Sequence, residues 1–381
     1  MTKLCLCMIV KNESSIIKDC LNSIADYLDY WVICDTGSTD GTQDIIKSFF
    51  KEKGISGELH EDKWVNFGYN RSLYLKYAKN KGDFLIMLDA DEILIVKNKN
   101  FKNNIKPNSK NMVKYDGNLD YRYGILLSGN IQWKYVGVTH EYITSDEKYK
   151  VENNDDIMIN HIGNGNNKKD KFERDITLLS QGIKDEPNNA RYHFYLAQSY
   201  KDIRDYKNAI KYYKKRVEMG GWHEEVYYSL YMIGLCKQND GLDFENEILY
   251  DYLKAYNYKK NRLEALYEIV KYCRINKKYR EGYAYGMLGI KNSYPKDLLF
   301  IDRDIHTFKF KDELAICAYW ISDHTLAIEL NNELLNLDCL NNNYRNRIQK
   351  NLNFSARASR TELGTFNFEF CAPLSGFFKH F

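Results

Sequence analysis

The chain has 381 residues, 44% of them hydrophobic, more than one ordinary domain needs and enough to fill two cores. Its 55 basic and 52 acidic residues are interspersed, leaving a formal charge of +3 and no basic stripe for a nucleic-acid backbone. The longest apolar run, Leu4 to Val10, is far shorter than the roughly 18 residues of a membrane helix, and no charged-then-apolar leader opens the sequence.

A soluble, non-secreted chain with no nucleic-acid partner and no membrane span is therefore expected. Nine cysteines are scattered without a CxxC pair, and Cys5, Cys7 and Cys34 lie inside apolar runs. They read as reduced core thiols, which fits a reducing compartment: the cytoplasm, or the host cytoplasm if the source is viral.

In chain order, Leu4–Val10 reads as a strand buried on both faces, ending at Lys11-Asn12-Glu13-Ser14, where Ser14 is placed to cap a helix. Trp31–Cys34 is a second strand. It ends in Asp35 and the loop Thr36-Gly37-Ser38-Thr39-Asp40-Gly41-Thr42, after which Ile45, Ile46, Phe49 and Phe50 recur with helical spacing. Gly57–Trp64 is a third strand, followed by a helix through Arg71 to Ala78, and Phe84–Leu88 is a fourth. Alternation of this kind predicts a Rossmann-like, mostly parallel α/β sheet. Ligands of such sheets sit at the carboxyl ends of the strands. Here those ends carry Glu13, Asp35 and the Asp89/Asp91 pair.

The segment FLIMLDADEIL, Phe84 to Leu94, turns from apolar to acidic within one residue. If the strand continued, Asp89 and Asp91 would face one side and Glu92 the other. Two carboxylates so close repel unless a cation lies between them, and oxygen ligands suit Mg²⁺ or Mn²⁺. Taken alone, acidic residues that merely end a strand at the surface explain the triplet equally well.

Four pieces in order, Met8-Ile9-Val10-Lys11-Asn12-Glu13, Val32 to Thr42 with its DTGSTDGT loop, Asn70-Arg71-Ser72, and Leu88-Asp89-Ala90-Asp91-Glu92, resemble the family-2 glycosyltransferases of GT-A fold. The resemblance covers roughly the first 165 residues. It implies that Val10, Glu13 and Asp35 bind the base and ribose, that Arg71 lies near the diphosphate, and that Asp89 and Asp91 form the metal-binding D-x-D, with Asp91 the direct ligand and Asp89 nearer the ribose. It further implies a nucleotide-diphospho-sugar donor, UDP-sugar first among the candidates, and inverting transfer to a hydroxyl on an unidentified glycan or protein acceptor.

Inverting transfer needs a carboxylate that takes the acceptor proton. Similar proteins carry an aromatic-rich segment ending in His-Glu. The matching stretch here, Trp133 to Tyr142, makes Glu141 the candidate base, with Trp133 and Tyr135 lining the sugar pocket, although many members use aspartate there. His161, ending the run Asp156-Ile-Met-Ile-Asn160-His161, is the histidine that would complete an Mn²⁺ or Mg²⁺ site. Lys168, Lys169 and Lys171 suit a solvated helix face better than a diphosphate. Gly163-Asn-Gly165 lacks the pattern of a phosphate loop.

Beyond residue 165 the chain turns Tyr- and Lys-rich with apolar residues at helical spacing. Tyr200 to Ile210 resembles Cys273 to Tyr283 at an offset of 73 positions, about twice a helix-hairpin repeat, and Ala190–Tyr213 looks like a tetratricopeptide (TPR) hairpin. The domains expected are therefore 1–165, the nucleotide-sugar-binding catalytic domain; 166–350, an all-α domain of three or four TPR-like hairpins; and 351–381, a terminal strand, docking tail, disordered end or appended sequence. The concave face of the repeats is where a protein partner, a peptide acceptor or a second subunit would sit. Two other readings compete: a nucleotide-binding scaffold without catalysis, and a haloacid-dehalogenase-type phosphatase, whose aspartates follow the first strand and not the fourth.

Overall fold

The computed structural model describes residues 2–115, 119–120, 122–162 and 168–369. The chain divides into two compact units, Met1–Gly241 with Asp297–Ile301, and Leu242–Lys296 with Asp302–Phe381.

In the first unit, β1 (Leu4–Val10), α1 (Ile17–Ile24), β2 (Tyr30–Asp35), α2 (Thr42–Lys53), β3 (Gly57–Glu61), α3 (Phe67–Tyr77) and β4 (Phe84–Met87) alternate as expected. There follow β5 (Glu92–Val96), α4 (Phe101–Asn104), β6 (Ser109–Tyr115), β7 (Leu119–Asp120), β8 (Arg122–Ser128), β9 (Lys134–Val136), β10 (Tyr142–Thr144) and β11 (Lys150–His161). Eight strands form one sheet in the order β3-β2-β1-β4-β8-β6-β11-β5. The pairs from β3 to β4 are all parallel, as is β6 with β11, whereas β8 runs antiparallel to both β4 and β6, and β5 antiparallel to β11. Nothing in β1 from Leu4 to Met8 reaches solvent, so this strand tolerates only apolar side chains, Cys5 and Cys7 included. Trp31 stacks on Phe50 at 4.5 Å, fastening α2 to the sheet.

Three local expectations change. Ser14 does not cap a helix: α1 begins only at Ile17, after a turn in which the Glu13 carbonyl accepts from Ile16 and Ile17, and the Ser14 N–H donates to Asp40. The third strand stops at Glu61, before Trp64, which packs edge-on against Phe67 at the start of α3. The fourth stops at Met87, so side-chain alternation does not extend to Asp89 and Asp91; the Asp89 carbonyl instead accepts from Glu92 in a tight turn into β5.

The rest of the first unit is helical: α5 (Lys168–Asp185), α6 (Ala190–Asp202), α7 (Tyr206–Met219) and α8 (His223–Asn239), each packed on the next. The second unit holds α9 (Leu249–Tyr258), α10 (Glu264–Ile275), α11 (Tyr279–Gly289), α12 (Phe310–Trp320), α13 (His324–Leu335) and α14 (Asn342–Glu369). The hairpins α6–α7, α10–α11 and α12–α13 repeat one turn. Arg204, Lys277 and Ser322 each adopt positive φ, of 64°, 60° and 69°, and five residues later Ala209, Gly282 and Ala327 are buried. Small residues are needed there for neighbouring helices to approach; a Cβ at Gly282 would lie 3.1 Å from the Cys273 Cβ on α10 and 2.7 Å from the Cys317 sulfur on α12. Of the segment expected to be a tail, residues up to 369 continue α14, and 370–381 lie outside the described residues, as does the Gly163–Gly165 stretch.

Candidate active site

Two loops at the carboxyl ends of β1 and β2 are clipped together. The Asn12 N–H donates to the Ser38 hydroxyl at 2.9 Å, the Thr39 N–H to the Asn12 side chain at 2.8 Å, and the Glu13 N–H to the Thr42 hydroxyl at 2.9 Å. Gly37, at φ 101°, makes the turn that the DTGSTDGT loop requires. Asp35 ends β2 opposite Val10 and is almost wholly buried. Its Oδ1 accepts from the N–H groups of Gly37 and Ser38 and from the Gln43 amide, an Asx-type turn; its buried Oδ2 has no hydrogen-bond partner among the described residues. The Val10 carbonyl is taken by both the N–H and the hydroxyl of Thr36.

Glu13 lies close enough to Asp91, Asp89 and Asp40 to feel their charge. Burial first, then these neighbours, push its pKa up to about 7. Asp91, just before β5, and His161, at the end of β11, come together where these paired strands lie side by side, with Oδ2 and Nε2 3.6 Å apart. Asp89 turns elsewhere: both of its oxygens accept from Arg71 Nη2 at 2.7 Å. Glu92 belongs to the scaffold, buried and accepting the Asp89 N–H at 2.9 Å. Among the described residues, no three His, Cys, Asp or Glu side chains are arranged to hold a metal ion.

Arg71 lies at the centre. Its Nε is 2.7 Å from Glu141 Oε1, an ion pair whose N–H is not aligned for a hydrogen bond, and its guanidinium lies 5.8 Å from the centre of the Tyr135 ring. Burial disfavours its charge, but Asp89 and Glu141 outweigh that and raise its pKa further. Glu141 is buried too; burial raises its pKa above the ordinary value despite the opposing pull of Arg71. A close backbone approach sets this pairing. The Phe67 N–H donates to the Val138 carbonyl at 3.1 Å, and a Cβ on Gly68 would lie 2.2 Å from the Gly137 carbonyl oxygen, so α3 can reach the loop before Glu141 only with glycine there. Arg71 follows Gly68 by one helical turn, which points it at Glu141.

Trp133 and Tyr135 are core residues and not pocket linings: the Trp133 indole donates to the Ser128 carbonyl, and the Tyr135 and Tyr74 hydroxyls share a hydrogen bond at 2.6 Å. Sequence reading passed over the groups that hold Glu141 from behind. His140 has a positive φ of 48° and stacks on Tyr195 at 4.1 Å, while its carbonyl accepts from Arg191 Nε at 3.0 Å. Burial, followed by Lys171 and Arg191, pushes the His140 pKa down to about 3, so its imidazole is neutral. Glu225 holds Arg191 and also the fully buried Arg216. The charges placed at buried helix positions, Arg216 above all, were the available signal.

Two cavities of the same unit flank the Arg71–Glu141 pair, Arg71 lining the first and Glu141 the second. One, of about 190 Å³, is lined by Arg71, Asp89, Glu92 and Tyr123; the other, of about 550 Å³, opens between Tyr123, Glu141, α5, α6 and residues 298–300.

Residues 5–97, which hold β1 to β5, the clipped acidic loops, Arg71 and Asp89, match the model of the family "Glycosyl transferase family 2"; this N-terminal match is followed along the chain by the TPR-like helices. Among relatives, the SPbeta prophage-derived glycosyltransferase SunS of Bacillus subtilis is 30% identical over 228 residues, 55% of this chain and 52% of that protein. The chain thus spans about half the length of the SunS relatives it matches. A TPR repeat-containing protein of Synechococcus elongatus is 38% identical over 96 residues, 25% of this chain and 22% of that protein. A solved structure of S. aureus TarS in complex with UDP-GlcNAc superposes with a TM-score of 0.35 at 14% identity, covering 67% of this chain and 92% of that one, too slight a likeness to build on.

Proposed function

We propose that the protein is an inverting glycosyltransferase that moves a sugar from a nucleotide-diphospho-sugar, a UDP-sugar first, to an acceptor whose nucleophile is deprotonated at Glu141. The observation that carries this reading is Arg71 held between Asp89 and Glu141 in a chain whose residues 5–97 match family 2. Asp35 takes the base, with the Val10 backbone beside it, and Glu13 the ribose side; the buried Oδ2 of Asp35, without a partner among the described residues, supports an acceptor role toward a base N–H. Asp89, fixed by Arg71, faces the ribose or metal. Asp91 and His161 would hold the ion through one carboxylate and one imidazole, a donor pair that suits Mn²⁺ or Mg²⁺. When bound, such an ion supplies Lewis-acid neutralisation of the diphosphate.

In the transfer, the acceptor hydroxyl loses its proton to the Glu141 carboxylate, and the oxygen lone pair forms the bond to the anomeric carbon on the face opposite the diphosphate. The bond from that carbon to the diphosphate oxygen breaks with its electron pair, which leaves on the nucleoside diphosphate. The raised pKa of Glu141 makes it a better proton acceptor than an ordinary carboxylate. As it is neutralised, the Arg71 charge is freed from one of its two partners just as negative charge grows on the leaving group. A screen of UDP-, GDP- and TDP-sugars by nucleotide release, with and without Mn²⁺, tests the reading. Release from at least one donor, lost in Asp91→Ala, is expected; release from none, or unchanged release in Asp91→Ala, contradicts it.

A further inference from the structure

We propose that the 550 Å³ cavity beyond Glu141 is the acceptor pocket, completed by the segment 297–301, and that it takes an acceptor presenting an apolar, ring-sized group beside its nucleophile. The inference rests on Glu141 being the base, and it names the acceptor chemistry that reading leaves open.

Glu141 and Tyr123 line this cavity on the sheet side; opposite them stand Tyr195, Trp222, Leu298 and Phe300. The segment is built in: the Glu224 carboxylate accepts the N–H groups of Leu298 and Leu299 at 2.8 and 2.7 Å, and Phe300, at a positive φ of 45°, packs its ring 5.0 Å from that of Tyr228. Backbone strain of this kind persists only where its surroundings enforce it. Trp222 and Leu298 remain 41% and 56% exposed, so their apolar surface is on offer.

The polar groups of the lining, Lys171 apart, are largely committed already. Asp175 is engaged by Thr139, His140 and Arg174, Arg191 by the His140 carbonyl and Glu225, Arg122 by Asp155, and Asp202 by Lys201. The Ser199 hydroxyl donates to the Tyr195 carbonyl, and Gln198 accepts from Tyr213. A bare polyol entering here would give up its hydration without recovering the hydrogen bonds, whereas an aromatic or branched aliphatic group gains apolar burial against four side chains. Such a group occurs on an aryl glycoside and on a peptide with a large apolar residue beside a serine.

The test measures binding of p-nitrophenyl β-D-glucoside and N-acetyl-phenylalanyl-serinamide against glucose and N-acetyl-serinamide, by calorimetry and quenching of tryptophan emission in the full chain. At least one apolar probe is expected to bind tenfold or more tighter than its control. The exposed-site variant Leu298→Glu is expected to weaken that probe tenfold or more, with Leu298→Met retaining it; the probe that binds identifies the source. Equal binding of probes and controls, or undiminished binding in Leu298→Glu, overturns the proposal. Intact, Leu298-dependent binding without nucleotide release from any donor upholds the pocket and overturns the donor reading instead.

Discussion

At the scale of single residues, charge placement is what sets Arg71, Glu141 and Glu13 apart. Arg71→Met leaves Glu141 buried without its cation, and breaking such a pair costs about 3 kcal/mol. Combining it with Glu141→Gln should recover most of that loss in urea unfolding, while transfer stays abolished in both. Glu13 gives a pH signature. Its folded pKa of about 7 exceeds the ordinary 4.5, so the folded chain holds a proton that the unfolded chain has released between those values. Stability therefore falls as pH rises through that window. Glu13→Gln should remove this slope, raising the melting temperature at pH 8 by about 2 °C and not at pH 5. An unchanged slope would mean that neither burial nor the acidic neighbours hold the Glu13 proton. None of this was visible as sequence: Asp89 and Asp91 stood out as a pair, but Asp89 answers to Arg71, eighteen positions upstream, and only Asp91 meets His161.

At the scale of elements, the clearest dependence is the meeting of α3 with the loop before Glu141. Gly68→Ala drives a Cβ into the Gly137 carbonyl, so α3 must shift, and overpacking of this kind costs about 1–3 kcal/mol. The expected outcome is a destabilised chain whose transfer rate drops far more than its affinity for nucleotide, since Arg71 and Glu141 part while Asp35 stays put; equal losses in both would contradict it. The parallel half of the sheet was legible because buried strands and the apolar spacing of helices are written in local runs such as Leu4–Val10. The antiparallel half was not. The twelve-residue β11, with a register shift between Asn154 and Met158, owes its shape to pairing with β6 and β5, which are distant in sequence. Trp133 and Tyr135 misled for a similar reason, as aromatic rings near a His-Glu pair suit a core as well as a pocket.

At the scale of the whole molecule, the first unit joins sheet and helices into one support for Glu141. Contacts run from the fully buried Arg216 through Glu225 and Arg191 to the His140 carbonyl. Arg216→Met should therefore raise the acceptor concentration needed for half-maximal transfer while leaving nucleotide affinity within twofold; a matched change in both would argue for general unfolding. The helical repeat was readable from the 73-position echo, because its turns recur in the same register at Arg204 and Lys277. The union of α5–α8 and residues 297–301 with the sheet depends on long-range packing that no local run announces. The central claim, a nucleoside-diphosphate site on the carboxyl rim of β1, β2 and β4, is tested most directly by calorimetric titration of UDP and GDP with and without Mn²⁺. Saturable binding of one of them, strengthened by Mn²⁺ and weakened tenfold or more by Asp91→Ala, is the result predicted; no binding of either nucleotide under any of these conditions would contradict it.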